Sequence, residues 1–380
     1  MSRLVHPSRG VPIRLWGRVV PDGALSQLEH LAAQPYVVEH LAAMPDLHVA
    51  NGVAVGSVFA TEATVVPSAL GGDLGCGMSA VRFDFPAARL SSSSLRAWLA
   101  AVTKEVPVGD ATHRGRGVTV ADALLSEPLS TGALEHARER LSGRHLGTLG
   151  GGNHFIELDR DGGGDLWLLV HSGSRGLGAA IAAHHVRAAE AAAWGTIPGL
   201  RVDTEAGAAC VRDLEWALTF ARANRSILLE RTAALVTELT GVAPGPALDV
   251  HHNFVRLEAH FGRPLWVHRK GAIAAPLGER ALIPGSMGTA SYVVEGLGAA
   301  HSFSSASHGA GRVMTRREAR TTLRSEQFVQ SMRRVVFDVH RRALIEEAPA
   351  AYRDIVEVLE DEADLVVPRV RLEPIAVVKG

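Results

Sequence analysis

The 380-residue sequence predicts a mixed α/β fold of the α+β kind, on three observations. Short runs such as MSAVRFDF at 78–85 alternate apolar and polar residues, the period of a half-buried strand. Longer stretches carry apolar residues at helical spacing, most clearly Val211, Leu214, Leu218 and Ala221. The two kinds of segment interleave without a regular strand–helix rhythm, which argues for one mixed domain rather than a barrel or a doubly wound sheet. Neither a long low-complexity linker nor a fixed-period repeat divides the chain, so residues 1–380 read as a single domain.

In chain order, the strand at 78–85 is followed by SSSS at 91–94, a cluster of N-cap residues that opens a helix. DGGGD at 161–165 reads as a turn before the apolar strand LWLLV at 166–170. Helices are expected at 176–194, 206–240 and 316–346. Arg312, Arg316, Arg320 and Arg324 recur every four residues, which on a helix makes one cationic stripe. That stripe reads equally as a phosphate-binding surface or as a solvated face offset by Glu318 and Glu326.

Composition narrows the function classes. The chain is 47% apolar and 21% charged, an ordinary globular balance. Its longest apolar runs fall far short of the roughly 18 residues of a spanning helix, so no membrane partner is expected. MSRLVHPSRG at the N-terminus lacks an apolar signal core, and a cytoplasmic location is expected. Two cysteines, Cys76 and Cys210, build no disulfide framework and suit a reducing compartment. A formal net charge of −1 excludes a broadly basic surface, so nucleic acid would be held by a local cluster.

Several glycine-rich segments carry chemistry. GGDLGCGM at 71–78 sets Asp73 and Cys76 three residues apart before a strand, where both side chains can face one ion. GGGNHF presents Asn153 and His154, LVHSGSRGLG ends an apolar strand on His171, and DVHHNF carries His251 and His252. Each histidine alone reads as structural, but one carboxylate, one thiolate and several histidines at element ends read as a metal site. Thiolate and imidazole ligands favour zinc on softness. HSGSRGLG, with Arg175 before a helix, is a phosphate-cradle candidate, and PGSMGTASY at 284–292 is a second such loop. SASHGAGRVMT at 305–315 surrounds His308 with small residues and follows it with Arg312, as a nucleophile or a ligand site would, though a plain glycine loop has the same composition.

Taken together, MPDLH, GGDLGCGM, GGGNHFIEL, HSGSRGLG, WALTFARANR, HHNF, HRKGA, PGSMGTASYVVEG, SHGAGR and a final KG run through nearly the whole chain in order. This series resembles the RNA-splicing ligase RtcB family. The resemblance implies a ligase that joins an RNA 3′-phosphate or 2′,3′-cyclic phosphate end to a 5′-hydroxyl end, with GTP and two manganese ions as cofactors. It thereby sets manganese against the zinc that ligand softness suggests. By the same resemblance Cys76 bridges the ions, with Asp73 and His154 on one and His171 and His252 on the other, while His251 stays outside the ligand set.

His308 is then implied as the nucleophile that forms a covalent histidine–GMP, in tRNA splicing or RNA repair. Asn153, Phe155, Glu157, Asn253, Ser286, Ser291, Tyr352 and Lys379 match positions implied around the guanine nucleotide, Tyr352 as a stacking platform. Arg175, Lys270 and Arg312 match implied RNA or phosphate contacts. Archease is an implied candidate partner, and the expected state is a monomer. After MPDLH this chain has VANG at 49–52 where the family usually has a glycine-rich and often basic step, so RNA contacts are less expected there, while the metal set is untouched. Two other classes stay open: a metal-dependent cyclic phosphoesterase, which would not need His308 or Lys379, and a non-ligating RNA-binding paralogue, which would have lost a ligand or the nucleophile.

Overall fold

The computed structural model describes residues 2–114, 118, 119, 124, 126–338 and 342–380, apart from the side chain of Arg342. Two sheets and a set of helices account for most of these residues. The first sheet has six strands in the order β1 (Arg3–Val5), β2 (Ile13–Leu15), β3 (Val37–His48), β4 (Val55–Thr61), β12 (Arg263–Lys270) and β11 (Asn253–His260). The second has seven, all antiparallel: β10 (Leu248–His251), β6 (Gly77–Pro86), β8 (Asp165–Ser172), β7 (Phe155–Asp161), β17 (Val366–Lys379), β15 (Ser291–Gly296) and β14 (Arg280–Ile283). Two short pairs complete the strands, β5 (Thr64–Val65) with β9 (Leu200–Arg201) and β13 (Ala272–Ala274) with β16 (Ser305–Ser307).

The helices are α1 (Asp22–Ala32), α2 (Ser92–Glu105), α3 (Gly132–His145), α4 (Arg175–Ala192), α5 (Glu205–Thr240), α6 (Arg316–Thr322), α7 (Ser325–Ser331) and α8 (Ile355–Asp361). Local chemistry sets their ends. Ser91 accepts the Ser94 N–H to start α2, as the serine cluster predicts, and Thr204 accepts the Gly207 N–H to start α5. Gly241, in the left-handed conformation at φ 74°, ends α5. The turn expected at 161–165 joins β7 to β8, with Asp161 Oδ1 accepting the N–H groups of Gly163 and Asp165.

Period-2 alternation gives the seven-stranded sheet two buried faces. On one, Val81 and Phe83 of β6, Ile156 and Leu158 of β7 and Leu168 and Val170 of β8 pack against Trp98 of α2 and Leu228, Leu229 and Val236 of α5. On the other, Met78, Ala80, Phe155, Leu169, Leu282, Val293 and Val377 close over Phe328 and Met332. A third cluster joins the two sheets through Ala42, Met44, Val58, Val267, Ile283 and Val294.

The mixed α/β class holds, but the seven-stranded sheet curls until its edge strands β10 and β14 lie beside each other, a nearly closed barrel-like form. The interleaved sequence pattern does not announce this, because the strands that pair are far apart in the chain. The helix expected at 316–346 is also corrected. Leu323 and Arg324 are extended, so α6 and α7 are separate, and a tight turn follows at Arg342–Glu347, with 339–341 outside the described residues. The cationic stripe therefore does not form: Arg312 precedes α6, and Arg324 is the N-cap of α7. Glu318 caps Thr315 instead of facing arginines, and it is Glu346 and Glu347 that pair with Arg320, Arg316 and Arg312.

Register lines up the strand ends at one rim. His251 lies opposite Gly77, Met78 opposite His171, His171 opposite Phe155, and Phe155 opposite Lys379. Strands entering and leaving the same rim thus bring residues from five parts of the chain together. At Gly77 the strands approach so closely that a Cβ would sit 2.0 Å from the Val250 carbonyl oxygen. Gly77→Ala must push β6 from β10, at an expected cost of about 1–3 kcal/mol. Urea denaturation measures it, and an unchanged midpoint would contradict the packing described.

Candidate metal centre and nucleophile

The rim opens into a cavity of about 350 Å³ floored by Cys76, His171, His252 and Asp73. Cys76 Sγ is 3.3 Å from His154 Nε2 and 3.2 Å from His171 Nε2, and His171 Nε2 is 3.0 Å from His252 Nε2. Asp73 Oδ2 is 2.9 Å from His154 Nε2. Two triads result, Asp73–Cys76–His154 and Cys76–His171–His252, each with its donor atoms within 4.8 Å of one another. Both contain the same sulfur. This arrangement could hold metal ions, because one thiolate, one carboxylate and three imidazoles are donors suited to divalent transition metals.

The surroundings prepare these donors for a cation. His154 Nδ1 lies 2.9 Å from the Leu149 carbonyl and His171 Nδ1 lies 3.2 Å from the Asn153 carbonyl. Each ring therefore donates Nδ1–H to backbone and turns the lone pair of Nε2 towards the cluster. Burial, reinforced by neighbouring positive charge, holds His171 and His252 well below the usual imidazole range, in the neutral form that ligates. Burial and the Asp73 carboxylate push the Cys76 thiol well up, with Arg225 opposing them. Burial alone would raise Asp73, but the hydrogen bond and charge of His154, with Arg175, hold its carboxyl below the ordinary range.

His308 follows β16 and faces the same cavity, its ring centroid 4.8 Å from that of His252. Its Nδ1 is 2.5 Å from Oδ2 of Asp46, a fully buried residue of β3, and its backbone N–H donates to the same oxygen at 3.2 Å. An imidazole whose Nδ1–H is fixed by a carboxylate presents Nε2 as its free nucleophilic atom. Behind this pair, Glu362 accepts the Ser307 N–H at 2.9 Å and is itself fully buried.

A model of the family described as tRNA-splicing ligase RtcB matches residues 27–380. The chain belongs to the RtcB family. The RNA-splicing ligase RtcB of Escherichia coli strain K12 is 35% identical, over 98% of this chain and 98% of its own. That of Mycobacterium tuberculosis strain H37Rv is 30% identical, over 93% of this chain and 100% of its own. The tRNA-splicing ligase RtcB of Pyrobaculum aerophilum is 28% identical, over 99% of this chain and 96% of its own. The resemblance read from the sequence series is thereby established, and with it membership in a family of RNA-splicing ligases. Among the described residues, no helix is long and apolar enough to cross a membrane.

Around the RtcB cluster, all eight residues expected at the nucleotide line the cavity: Asn153, Phe155, Glu157, Asn253, Ser286, Ser291, Tyr352 and Lys379. Lys379 Nζ donates to the Asn153 carbonyl at 2.9 Å and lies 5.3 Å from the Phe155 ring centroid. Asn253 spans two loops, donating to the Asp73 carbonyl and accepting the Gly271 N–H. Arg312 stacks over the Tyr352 ring at 5.0 Å and donates to its hydroxyl. Lys270 donates to the carbonyls of Asn51 and Ser68, and burial brings its pKa down to about 8. The atypical VANG stretch thus supplies a carbonyl to a cavity lysine.

Arg175 and His251 lie outside the cavity lining. Arg175 runs across Gly150, where a Cβ would meet its guanidinium at 2.1 Å, and donates to Thr148. At the start of α4 the Ser174 N–H donates to Asp73 Oδ1 at 3.1 Å, so one backbone donor of the phosphate-cradle candidate already serves a metal-ligand candidate. His251 Nδ1 sits 2.8 Å from the Gly75 carbonyl, away from both triads, consistent with its exclusion from the ligand set.

Two residues of the site escaped the sequence reading. Asp46 stands in MPDLH, but its partner His308 is 262 positions away and no local spacing links them. Glu347 gathers Arg312, Arg316, Lys379 and the Tyr352 hydroxyl. Burial opposes its ionisation, yet Lys379, Tyr352 and the arginines hold it down to about 2.

Glu362 is the opposite case: burial pushes its carboxyl up to about 8, against the Ser307 hydrogen bond and with help from Asp46. Between its unfolded value, about 4.3, and the folded value near 8, the folded chain keeps a proton that the unfolded chain has released. Stability therefore falls as pH rises through that window. Glu362→Gln keeps an acceptor for Ser307 and removes the titration, so its unfolding free energy is expected to fall less steeply from about pH 5 to pH 8. Urea titrations across that range check it, and a slope equal to wild type would contradict it.

Proposed function

We propose that this chain joins RNA ends bearing a 3′-phosphate or 2′,3′-cyclic phosphate to 5′-hydroxyl ends, using GTP and two manganese ions, through a guanylate carried on His308. The observation that supports this most is the His308–Asp46 pair, with Nδ1 2.5 Å from the carboxylate and the ring beside the ligand His252. Asp73 and His154 would hold one ion, His171 and His252 the other, with Cys76 shared. When bound, the ions would neutralise and orient phosphate oxygens.

The chain's own groups supply the rest. Asp46 keeps the Nδ1 proton and offsets the positive charge that develops on the imidazole as it attacks. His308 Nε2 forms a bond to the α-phosphorus of GTP while the bond to the β-phosphate oxygen breaks and pyrophosphate leaves. An oxygen of the RNA 3′-phosphate then takes the guanylate, breaking the N–P bond and restoring His308. Attack by the 5′-hydroxyl on the activated phosphate releases GMP and seals the strand. A cyclic phosphate would first be opened by water. Asn153, Phe155, Glu157, Asn253, Ser286, Ser291 and Lys379 line the cavity that would receive the guanine nucleotide, with Lys379 proposed at the guanine and Tyr352 as the stacking candidate. Lys270 and Arg312 add positive charge for RNA or triphosphate.

Incubation of the protein with manganese and α-labelled GTP tests this reading. Label is expected to survive denaturing electrophoresis, to be lost in acid as a phosphoramidate is, and to be absent from His308→Ala. Label retained on that variant would overturn the nucleophile. No label on the wild type, with or without archease, would favour the cyclic phosphoesterase or the non-ligating paralogue.

A further inference from the structure

WALTFARANR, on α5, ends in two polar residues that the chemistry above leaves unused. Asn224 and Arg225 are both 0% exposed, in the middle of a long helix that also buries Phe220, Ala221, Leu228 and Leu229. A buried guanidinium and amide are costly unless their hydrogen-bonding groups are matched. Here they are matched, and the partners lie next to metal-ligand candidates.

Arg225 forks onto Asp249, with Nε to Oδ1 at 2.7 Å and Nη2 to Oδ2 at 2.9 Å. Its Nη1 donates to the Gly75 carbonyl at 2.8 Å and the Ser172 carbonyl at 3.2 Å, and Nη2 lies in contact with His251 Nδ1 at 3.3 Å, whose hydrogen goes to the Gly75 carbonyl. Gly75 precedes Cys76, Ser172 follows His171, and His251 precedes His252. One guanidinium thus touches the chain beside every member of the second triad.

Asn224 serves the other triad. Its Oδ1 accepts the Gly147 N–H at 2.7 Å and the Thr148 N–H at 3.3 Å, and its Nδ2 donates to the carbonyls of Thr148 and Gly173 at 3.2 Å. Nδ2 also donates to Ser172 Oγ, which in turn donates to the Leu149 carbonyl, the acceptor that orients His154. Gly173 leads into Ser174, whose N–H holds Asp73. These bonds run mainly to backbone, so they place the ligand-bearing segments themselves.

We propose that Asn224 and Arg225 are positioning residues that each govern one ion site, Arg225 the Cys76–His171–His252 site and Asn224 the Asp73–Cys76–His154 site. The assignment rests on the two-ion reading of the proposed function. Loss of a group that orients a metal ligand weakens binding by about 10- to 100-fold, and the effect here falls mainly on one site of the pair, because Gly75 beside the shared Cys76 and Ser172 beside His171 leave each residue a smaller hold on the other site.

Cobalt(II) titration of the full chain, followed by its sulfur-to-cobalt absorption and by bound metal per chain, tests the proposal without reference to activity. In a His154→Ala background, which leaves the second site, Arg225→Lys is expected to weaken cobalt binding by about 10- to 100-fold and Asn224→Asp to change it little. In a His171→Ala background, which leaves the first site, the order reverses. Circular dichroism establishes that each variant is folded. If Arg225→Lys does not fold, Asp249→Asn, which releases the guanidinium from its carboxylate, is expected to give the same selective loss. Equal losses at both sites, or no loss at either, would overturn the proposal while a wild type that binds two cobalt ions upholds the two-ion reading. A wild type that binds fewer than two would overturn both.

Discussion

Cys76 Sγ stands 3.3 Å from one histidine and 3.2 Å from another on a different strand, so a single buried sulfur belongs to both triads. Its placement constrains everything around it. Gly77 must lack a side chain for β6 to lie against β10, and that pairing is what carries His251 and His252 to the rim. The register between β6 and β8 brings His171 to the same height, and that between β7 and β8 sets Phe155 opposite His171, with His154 directly before the strand. A slip of one residue between β6 and β8 would turn His171 to the opposite face of the sheet, into the apolar layer covered by α5.

Charge is arranged around this rim by depth. At the cluster itself, burial keeps His171 and His252 neutral and leaves the sulfur short of positive charge, an environment that a divalent ion completes. A layer further out, Glu347 collects Arg312, Arg316 and Lys379, so these cations stand ordered rather than loose. On the far side, Asp46 fixes His308, and Glu362 holds the Ser307 backbone next to it. The nucleophile candidate and the metal candidates are thus supported by separate networks, one from β3 and the α8 end, the other from α5.

Much of this centre is legible in the sequence because ligand candidates sit where glycine or asparagine interrupts an apolar strand, as at Cys76, His154, His171 and His252. Such punctuation marks the ends of strands, and here all the ends meet. What the sequence conceals is long-range pairing. Asp46 and His308 are 262 residues apart, and nothing local in either segment names the other. Asn224 and Arg225 fit the helical pattern of α5 as ordinary polar positions, and only their complete burial sets them apart. The helix expected at 316–346 fails for a related reason: the four-residue arginine spacing is satisfied by a broken chain whose arginines reach Glu346 and Glu347. The near-closure of the second sheet is likewise invisible, since β10 and β14 owe their contact to every strand between them.

The central claim is that one thiolate joins two ion sites, and electron paramagnetic resonance of the manganese-loaded protein tests it most directly. Two manganese ions bridged by sulfur couple magnetically, so the wild type with two equivalents is expected to give the spectrum of an interacting pair. Cys76→Ala is expected to lose the coupling and bind less metal. A wild-type spectrum of isolated manganese, or a coupled spectrum that survives Cys76→Ala, would contradict the shared sulfur.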